Sequence, residues 1–152
     1  MQNTNILLVE DNPDHEALTI RALKKAHVLN EIIVAHDGAE AVELLFGAEG
    51  EPGRPPIPVP QLVLLDLKLP KVDGLEVLRR MRSDARTKLI PVVVLTSSDE
   101  EGDVVTSYRL GANSYVCKPV DFVQFMEATK QLGLYWLVLN ETPKAARAAA
   151  GQ

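Results

Sequence analysis

The sequence lacks the features that mark several large classes of protein. Its 152 residues contain one cysteine, Cys117, so an intramolecular disulfide is excluded. No apolar run is long enough to cross a bilayer, and the N-terminus lacks the basic and apolar regions of a secretory signal. The net charge of −5 is opposite to the basic surface that nucleic-acid binding requires. We therefore expect a cytoplasmic protein that binds neither nucleic acid nor membranes.

What the sequence does contain is a regular alternation of short apolar runs and segments with helical spacing. An apolar content of 46% is enough for the core of one domain. Predicted strands cover residues 5–9, 31–35, 61–65, 91–95 and 113–117. Predicted helices cover residues 13–26, 38–46, 74–84, 100–111 and 121–133. Several strands are apolar almost throughout, which is typical of parallel strands covered on both faces. The pattern predicts a doubly wound α/β fold with a five-stranded parallel sheet, interrupted by a surface loop at 47–60 that is rich in Pro and Gly.

Polar residues follow four of the five strands. They are Glu10 and Asp11, Asp66, Thr96 with Ser97, and Lys118 before Pro119. Ligands of such a sheet bind at the carboxyl ends of its strands, so these residues should meet at one edge. Three neighbouring carboxylates repel each other unless a cation joins them, and Mg²⁺, or Mn²⁺ in its place, suits their oxygen ligands.

This set of residues predicts chemistry at phosphorus. Asp66 would be the nucleophile, while the metal, Lys118 and either the Thr96 hydroxyl or a nearby amide would neutralise the phosphoryl oxygens. Each residue also has an ordinary interpretation. Glu10 and Asp11 could be acids at a helix N-terminus, Asp66 could cap a turn, and Lys118 could be a solvated lysine. Their occurrence together, in this order, favours the phosphoryl site.

Four segments resemble the receiver domain of bacterial response regulators. They are "ILLVEDNP", "LVLLDLKLPKVDGLEVL", "PVVVLTSS" and "GANSYVCKPVD", within residues 4–132. The resemblance implies a flavodoxin-like sheet with strand order 2-1-3-4-5 and phosphorylation of Asp66 by a partner sensor histidine kinase. It implies metal ligands from Asp11, Asp66 and the backbone carbonyl of Lys68, with Glu10 acting mainly through water.

The same resemblance assigns the residues of the switch. Thr96 is the switch hydroxyl, Tyr115 the switch aromatic residue and Lys118 the lysine that pairs with the phosphate, while the Lys118–Pro119 peptide is expected to be cis. In style, the sequence is similar to small stand-alone receivers that serve cyanobacterial and bacterial phytochrome kinases. Lys68 departs from that subgroup, where Asn is familiar, and we expect it to alter the rate of phosphate loss.

The end of the chain suggests how a signal would leave the protein. After a receiver domain at residues 1–133, the extension 134–152 is too short for a DNA-binding module, so the expected output is protein binding. Its apolar run consists of Leu134, Tyr135, Trp136, Leu137, Val138 and Leu139. This run is predicted to form the arm of a homodimer, and the alternative is a tail that folds back on its own domain.

Other functions have weaker support in the sequence. A haloacid-dehalogenase-type phosphatase would need an acid at position 68, a flavodoxin would need a phosphate loop in place of "EDNPD", and no GxxxxGK[ST] motif supports nucleotide hydrolysis. A pseudo-receiver that never takes phosphate is disfavoured by the complete acidic set. Three histidines, His15, His27 and His36, lack metal-ligand spacing and are predicted to lie at the surface.

Overall fold

A computed structural model describes the residues that build the sheet and four helices. The described residues are 5–25, 28, 30–47, 53, 55–67, 69, 71–96, 101–118, 123, 124 and 127. The strands are β1 Asn5–Val9, β2 Glu31–Ala35, β3 Leu62–Asp66, β4 Val92–Thr96 and β5 Ser114–Cys117. The helices are α1 Pro13–Lys25, α2 Gly38–Phe46, α3 Gly74–Arg82 and α4 Glu101–Arg109. None of these helices combines the length and apolar character that a bilayer span requires.

All strand pairs are parallel, and the strand order is β2-β1-β3-β4-β5. This order confirms the predicted doubly wound sheet. After β2 is added on one side of β1, the later strands are added on the other side, starting with β3. Such folds bind ligands at this switch point between β1 and β3. Strand β1 is fully buried and β2 is partly exposed at the edge, so the prediction that strands are covered on both faces holds best for the central ones.

Alternate residues of the central strands feed two separate cores. Leu7 and Val9 of β1 pack into a cluster that includes Leu45 of α2 and Leu78 of α3. Ile6 and Leu8 point to the other face and pack with residues such as Leu23 of α1. Helices therefore cover both faces, which explains why these strands carry apolar residues at every position.

Several element boundaries differ from the predicted ones by one or two residues. Strands β3 and β4 begin and end one residue later than predicted, because the parallel ladder continues through the pairs Asp66–Leu95 and Thr96–Cys117. Helix α3 ends at Arg82, two residues early, where the Ser83 hydroxyl donates to the Arg79 carbonyl at 2.9 Å. Helix α4 spans 101–109 rather than 100–111.

Strand β5 begins at Ser114 and not at Asn113, because the Asn113 side chain bonds to β4 itself. Its Oδ1 accepts from the Val92 amide at 2.8 Å, while its own amide donates to the Val92 carbonyl at 2.9 Å. The described part of the Pro- and Gly-rich segment, residues 47, 53 and 55–60, contains neither helix nor strand, as predicted. Of the predicted helix 121–133, Val123, Gln124 and Glu127 are described and are helical.

Candidate functional site

Two acids of the predicted site lie at the end of β1. The Glu10 amide donates to the Ala35 carbonyl at 2.9 Å, which extends the β1–β2 ladder by one residue and leaves Glu10 fully buried. Asp11 follows and is exposed to solvent. Asp66, the last residue of β3, is 6% exposed. One carboxylate oxygen from each of these acids lies within 4.8 Å of the other two, so the predicted acidic cluster exists.

Lys118, directly after β5, brings a cation into this cluster. Its Nζ donates to Asp66 Oδ2 at 2.6 Å and lies 2.6 Å from Glu10 Oε1. The Lys118 side chain is only 10% exposed. Glu10 is buried and pairs directly with the lysine, and its predicted role toward a metal through water stays a prediction.

The electrostatics of the pair are asymmetric. Burial raises the pKa of Glu10 to about 7, against the opposing effect of the Lys118 hydrogen bond and with further help from the nearby Asp66 charge. Burial alone would lower the pKa of Lys118, but its bonds to Asp66 and Glu10 outweigh burial, so the pKa is raised and the lysine stays charged. The lysine thus holds close to the sheet two acids that would otherwise repel each other.

The donor set fits a hard divalent cation. Mg²⁺ and Mn²⁺ prefer carboxylate oxygens and keep several waters, and the cluster offers two buried carboxylates and one exposed to solvent. Asp11 and Asp66 would hold the ion, and the buried Glu10 lies next to both of them. Lys68, whose backbone carbonyl completes the predicted set, lies outside the described residues.

Glycines fix the loop that follows Asp66. The Gly74 amide donates to the Leu67 carbonyl at 3.0 Å, and a Cβ at Gly74 would lie 2.3 Å from the Asp66 carbonyl oxygen. A Cβ at Gly38 would lie 1.5 Å from the Val72 carbonyl oxygen on the other side of the same loop. Only glycine permits both approaches, so the loop after Asp66 is held between the starts of α2 and α3.

The backbone places Thr96 on the strand next to Asp66 and Tyr115 one strand further away. Thr96 directly follows Leu95, the residue that pairs with Asp66, and thus ends the neighbouring strand at the same edge. Tyr115 of β5 is 44% exposed, and its ring meets the ring of Tyr108 edge to face at a centroid distance of 6.0 Å. Pro119, and with it the cis peptide prediction, lies outside the described residues, as does the whole predicted dimer arm 134–139.

One residue of the site was missed by the sequence prediction. His15, predicted to be an ordinary surface residue, places its Nδ1 3.1 Å from Lys118 Nζ. The prediction was correct for His36, which is 58% exposed and lies 3.2 Å from Glu16; His27 is outside the described residues. The available signal was the position of His15, one helical turn after Asp11 and therefore on the turn of α1 nearest the acids.

Comparisons with known proteins show the family of the chain. Residues 6–130 match the response regulator receiver domain family. The chain is 41% identical to the probable methanogenesis regulatory protein FilR2 of Methanothrix harundinacea, over 91% of this chain and 86% of FilR2. It is 39% identical to response regulator Rcp1 of Synechocystis, over 92% of this chain and 93% of Rcp1.

Two solved structures extend the comparison. The structure of the bacteriophytochrome response regulator AtBRR is 50% identical, with a TM-score of 0.75 over 93% of this chain and 100% of that one. The Mn²⁺-bound form of Rcp1 is 38% identical, with a TM-score of 0.69 over 88% of this chain and 94% of that one. With a family match over most of its length and a sheet of the same fold, the chain belongs to the response regulator receiver domain family.

Proposed function

We propose that this chain is a phosphoacceptor switch that takes a phosphoryl group on Asp66 from a histidine kinase and signals by binding other proteins. Receiver domains act as phosphoacceptor switches in two-component signalling. The observation that carries the proposal is the position of Asp66, which lies at the rim of the sheet between two further acids and the buried cation of Lys118. The likeness to the bacteriophytochrome response regulator AtBRR supports a kinase partner of the phytochrome type.

In the transfer step, an Asp66 oxygen attacks the phosphorus of the kinase's phosphohistidine. The new O–P bond forms as the N–P bond breaks, and the imidazole of the kinase leaves with the electron pair. A divalent ion bound by Asp11 and Asp66, Mg²⁺ by preference, would supply positive charge for the phosphoryl oxygens. Lys118 moves its hydrogen bond from Asp66 Oδ2 to a phosphoryl oxygen, and the Thr96 hydroxyl donates to another.

The signal would then spread through Thr96 and Tyr115. As Thr96 moves toward the phosphoryl group, it vacates space behind β4 that Tyr115 can occupy by turning inward. That movement separates Tyr115 from Tyr108 and remodels the surface formed by α4 and β5. We further propose that residues 1–133 form the receiver unit in the cytoplasm, and that the run 134–139 joins two copies in a homodimer.

Phosphorylation by a small donor tests the core of the proposal. Intact-mass measurement after incubation with acetyl phosphate and Mg²⁺ should show a gain of one phosphoryl group, absent in Asp66→Asn. Asp84→Asn, which changes an acid beyond the end of α3, is the matched control and should gain the same mass. If the wild-type protein gains nothing, the chain is a binding module and not a switch; if Asp66→Asn gains as much as wild type, Asp66 is not the phosphoacceptor.

Kinase identity needs a separate experiment. Phosphotransfer from a bacteriophytochrome histidine kinase should be faster than transfer from a histidine kinase without a phytochrome sensor, at equal kinase concentration. Equal rates with both would remove the phytochrome part of the proposal and leave the phosphoacceptor role intact.

A further inference from the structure

His15 is held firmly in the first turn of α1. Asn12 Oδ1 accepts from the amides of Asp14 at 2.8 Å and His15 at 3.2 Å, which caps the helix N-terminus. The buried Thr19 hydroxyl donates to the His15 carbonyl at 2.8 Å. The half-buried imidazole therefore extends from a fixed backbone toward the carboxyl edge of the sheet.

The contact between His15 and Lys118 fixes the state of the ring. A lysine ammonium group has three N–H donors and no acceptor, so the ring nitrogen 3.1 Å from Nζ has to accept. His15 is then neutral, with its proton on Nε2. The other two partners of Nζ are Asp66 Oδ2 and Glu10 Oε1, both at 2.6 Å. Nζ thus has three neighbours, of which Asp66 and His15 have hydrogen-bond geometry while Glu10 forms an ion pair without it, and His15 is the one without negative charge.

On the basis of the proposed function, we infer that His15 is a positioning residue for Lys118 and makes the phosphoryl chemistry of Asp66 sensitive to pH. When Lys118 turns from Asp66 to a phosphoryl oxygen, the neutral imidazole keeps the ammonium group at the site. A protonated imidazole has two donors and no acceptor, and it places a second positive charge next to Lys118. Protonation of His15 therefore displaces the lysine and weakens its hold on the phosphoryl group.

Other charged groups near this contact come from several elements. Among the described residues, Glu10 lies at the end of β1, Asp66 at the end of β3 and Lys118 after β5, while Asp11 and Asp14 precede His15 in the chain. Of these, Glu10 can also titrate near neutral pH, since burial raises its pKa to about 7. A test must therefore separate the histidine from Glu10, and substitution of His15 alone does so.

Two substitutions divide the role of His15 into its parts. His15→Asn keeps an acceptor but cannot titrate, whereas His15→Leu removes the acceptor. The rate of phosphorylation by acetyl phosphate with Mg²⁺ is measured from about pH 8 to about pH 5.5, where imidazoles change charge. At about pH 8, His15→Asn should react within about twofold of wild type, and His15→Leu about fivefold more slowly, as expected for one lost hydrogen bond.

The pH profile is the readout that a purely structural role would not move. Wild type should lose several-fold more of its rate than His15→Asn as the pH falls, and the remaining slope of His15→Asn belongs to Glu10 and to the donor. His36→Asn, a change at an exposed histidine, should follow wild type. Parallel profiles for wild type and His15→Asn would overturn the inference, even if His15→Leu fails to fold.

Nitrogen NMR of the unphosphorylated, metal-free protein gives a second readout. The His15 ring should show the Nε2–H tautomer in wild type and lose this preference in Lys118→Met. An Nδ1–H tautomer in wild type would overturn the inference while leaving the proposed function in place. A wild-type protein that is never phosphorylated would instead overturn both, so the two failures are distinguishable.

Discussion

The carboxyl edge of the sheet, where the strands end, and the opposite edge, where the strands begin, each hold a partly buried cation. The partners of the two cations differ. At the carboxyl edge, Lys118 is held by two carboxylates and an imidazole, and a metal ion could take the place of the lysine beside the carboxylates. At the opposite edge, Arg82 donates to the carbonyls of Gly111, Lys88 and Ile90 and to the Asn113 side chain. Amide oxygens do not titrate in the physiological range, so a change in pH does not alter the partners of Arg82.

The difference shows how one small sheet serves two purposes. The arginine cluster joins the end of α3 to the segments that precede β4 and β5, at hydrogen-bond distances of 2.8–3.0 Å. The lysine cluster joins the ends of β1, β3 and β5 through contacts that a metal or a phosphoryl group can replace. We expect stability to depend mainly on the edge that holds Arg82 and ligand response on the edge that holds Lys118.

Removal of the arginine should have the largest effect. Arg82→Met keeps the side-chain length but leaves three carbonyl groups without their donor, and it should lower the free energy of unfolding by about 3 kcal/mol. Denaturant unfolding measures this loss. The control is Arg80→Met on the same helix, whose exposed ion pair with Glu76 contributes less than about 1 kcal/mol. Equal losses in both variants would contradict a special role for Arg82.

The corresponding change at the carboxyl edge should be smaller and reversible by metal. Lys118→Met removes the cation between Glu10 and Asp66, and in metal-free buffer it should cost about 2 kcal/mol of unfolding free energy, as for the loss of a hydrogen bond to a charged group. Addition of Mg²⁺ should stabilise this variant more than it stabilises wild type, because the ion replaces the missing positive charge. The same addition should not rescue Arg82→Met, and a rescue there would remove the distinction between the edges.

Titration of Glu10 should give a smaller effect, with a definite sign. Its pKa is raised from 4.5 to about 7 on folding, so the native state binds the proton more tightly than the unfolded chain. The free energy of unfolding of the metal-free protein should therefore fall, by no more than about 3 kcal/mol from this residue, as the pH rises from 4.5 through 7. Glu10→Gln should flatten that part of the stability curve, and an unchanged slope would show that Glu10 does not titrate there.

The smallest effect is expected at a second arginine, Arg86, near the edge that holds Arg82. Arg86 donates to the Leu45 carbonyl at 2.7 Å and to the Ile57 carbonyl at 2.5 Å, which ties the Pro-rich segment to the end of α2. Because Arg86 is exposed, Arg86→Met should cost only about 1 kcal/mol, mostly through local opening. Hydrogen exchange at the Ile57 amide, which donates to the Leu44 carbonyl, should report it. A loss as large as that of Arg82→Met would mean that burial does not set the difference.

Much of the fold could be predicted from the sequence because each strand is a short apolar run. What the pattern could not give is where pairing stops, since that depends on the neighbouring strand. Asp66 has no apolar side chain, yet it remains in the ladder opposite Leu95. Asn113 looks like the first residue of a strand, but its side chain bonds to Val92 and Arg82.

The site was predictable to the extent that strand ends define it. Glu10, Asp11, Asp66 and Lys118 each lie beside or at a strand end, and parallel strands bring such positions together. His15 lies on a helix, and its contact with Lys118 depends on how α1 packs across the sheet, which helical periodicity does not specify. For the same reason, the direct pairing of Glu10 with Lys118 could not be inferred from spacing alone.

The edge-to-face contact between Tyr108 and Tyr115 gives the protein an optical reporter of its own. Two tyrosine rings at 6.0 Å couple their ultraviolet transitions, and an asymmetric pair of this kind contributes to near-ultraviolet circular dichroism. If phosphorylation turns Tyr115 inward, the coupling is lost and the spectrum changes without any attached dye. Signalling by this surface can then be followed in unlabelled protein, in real time.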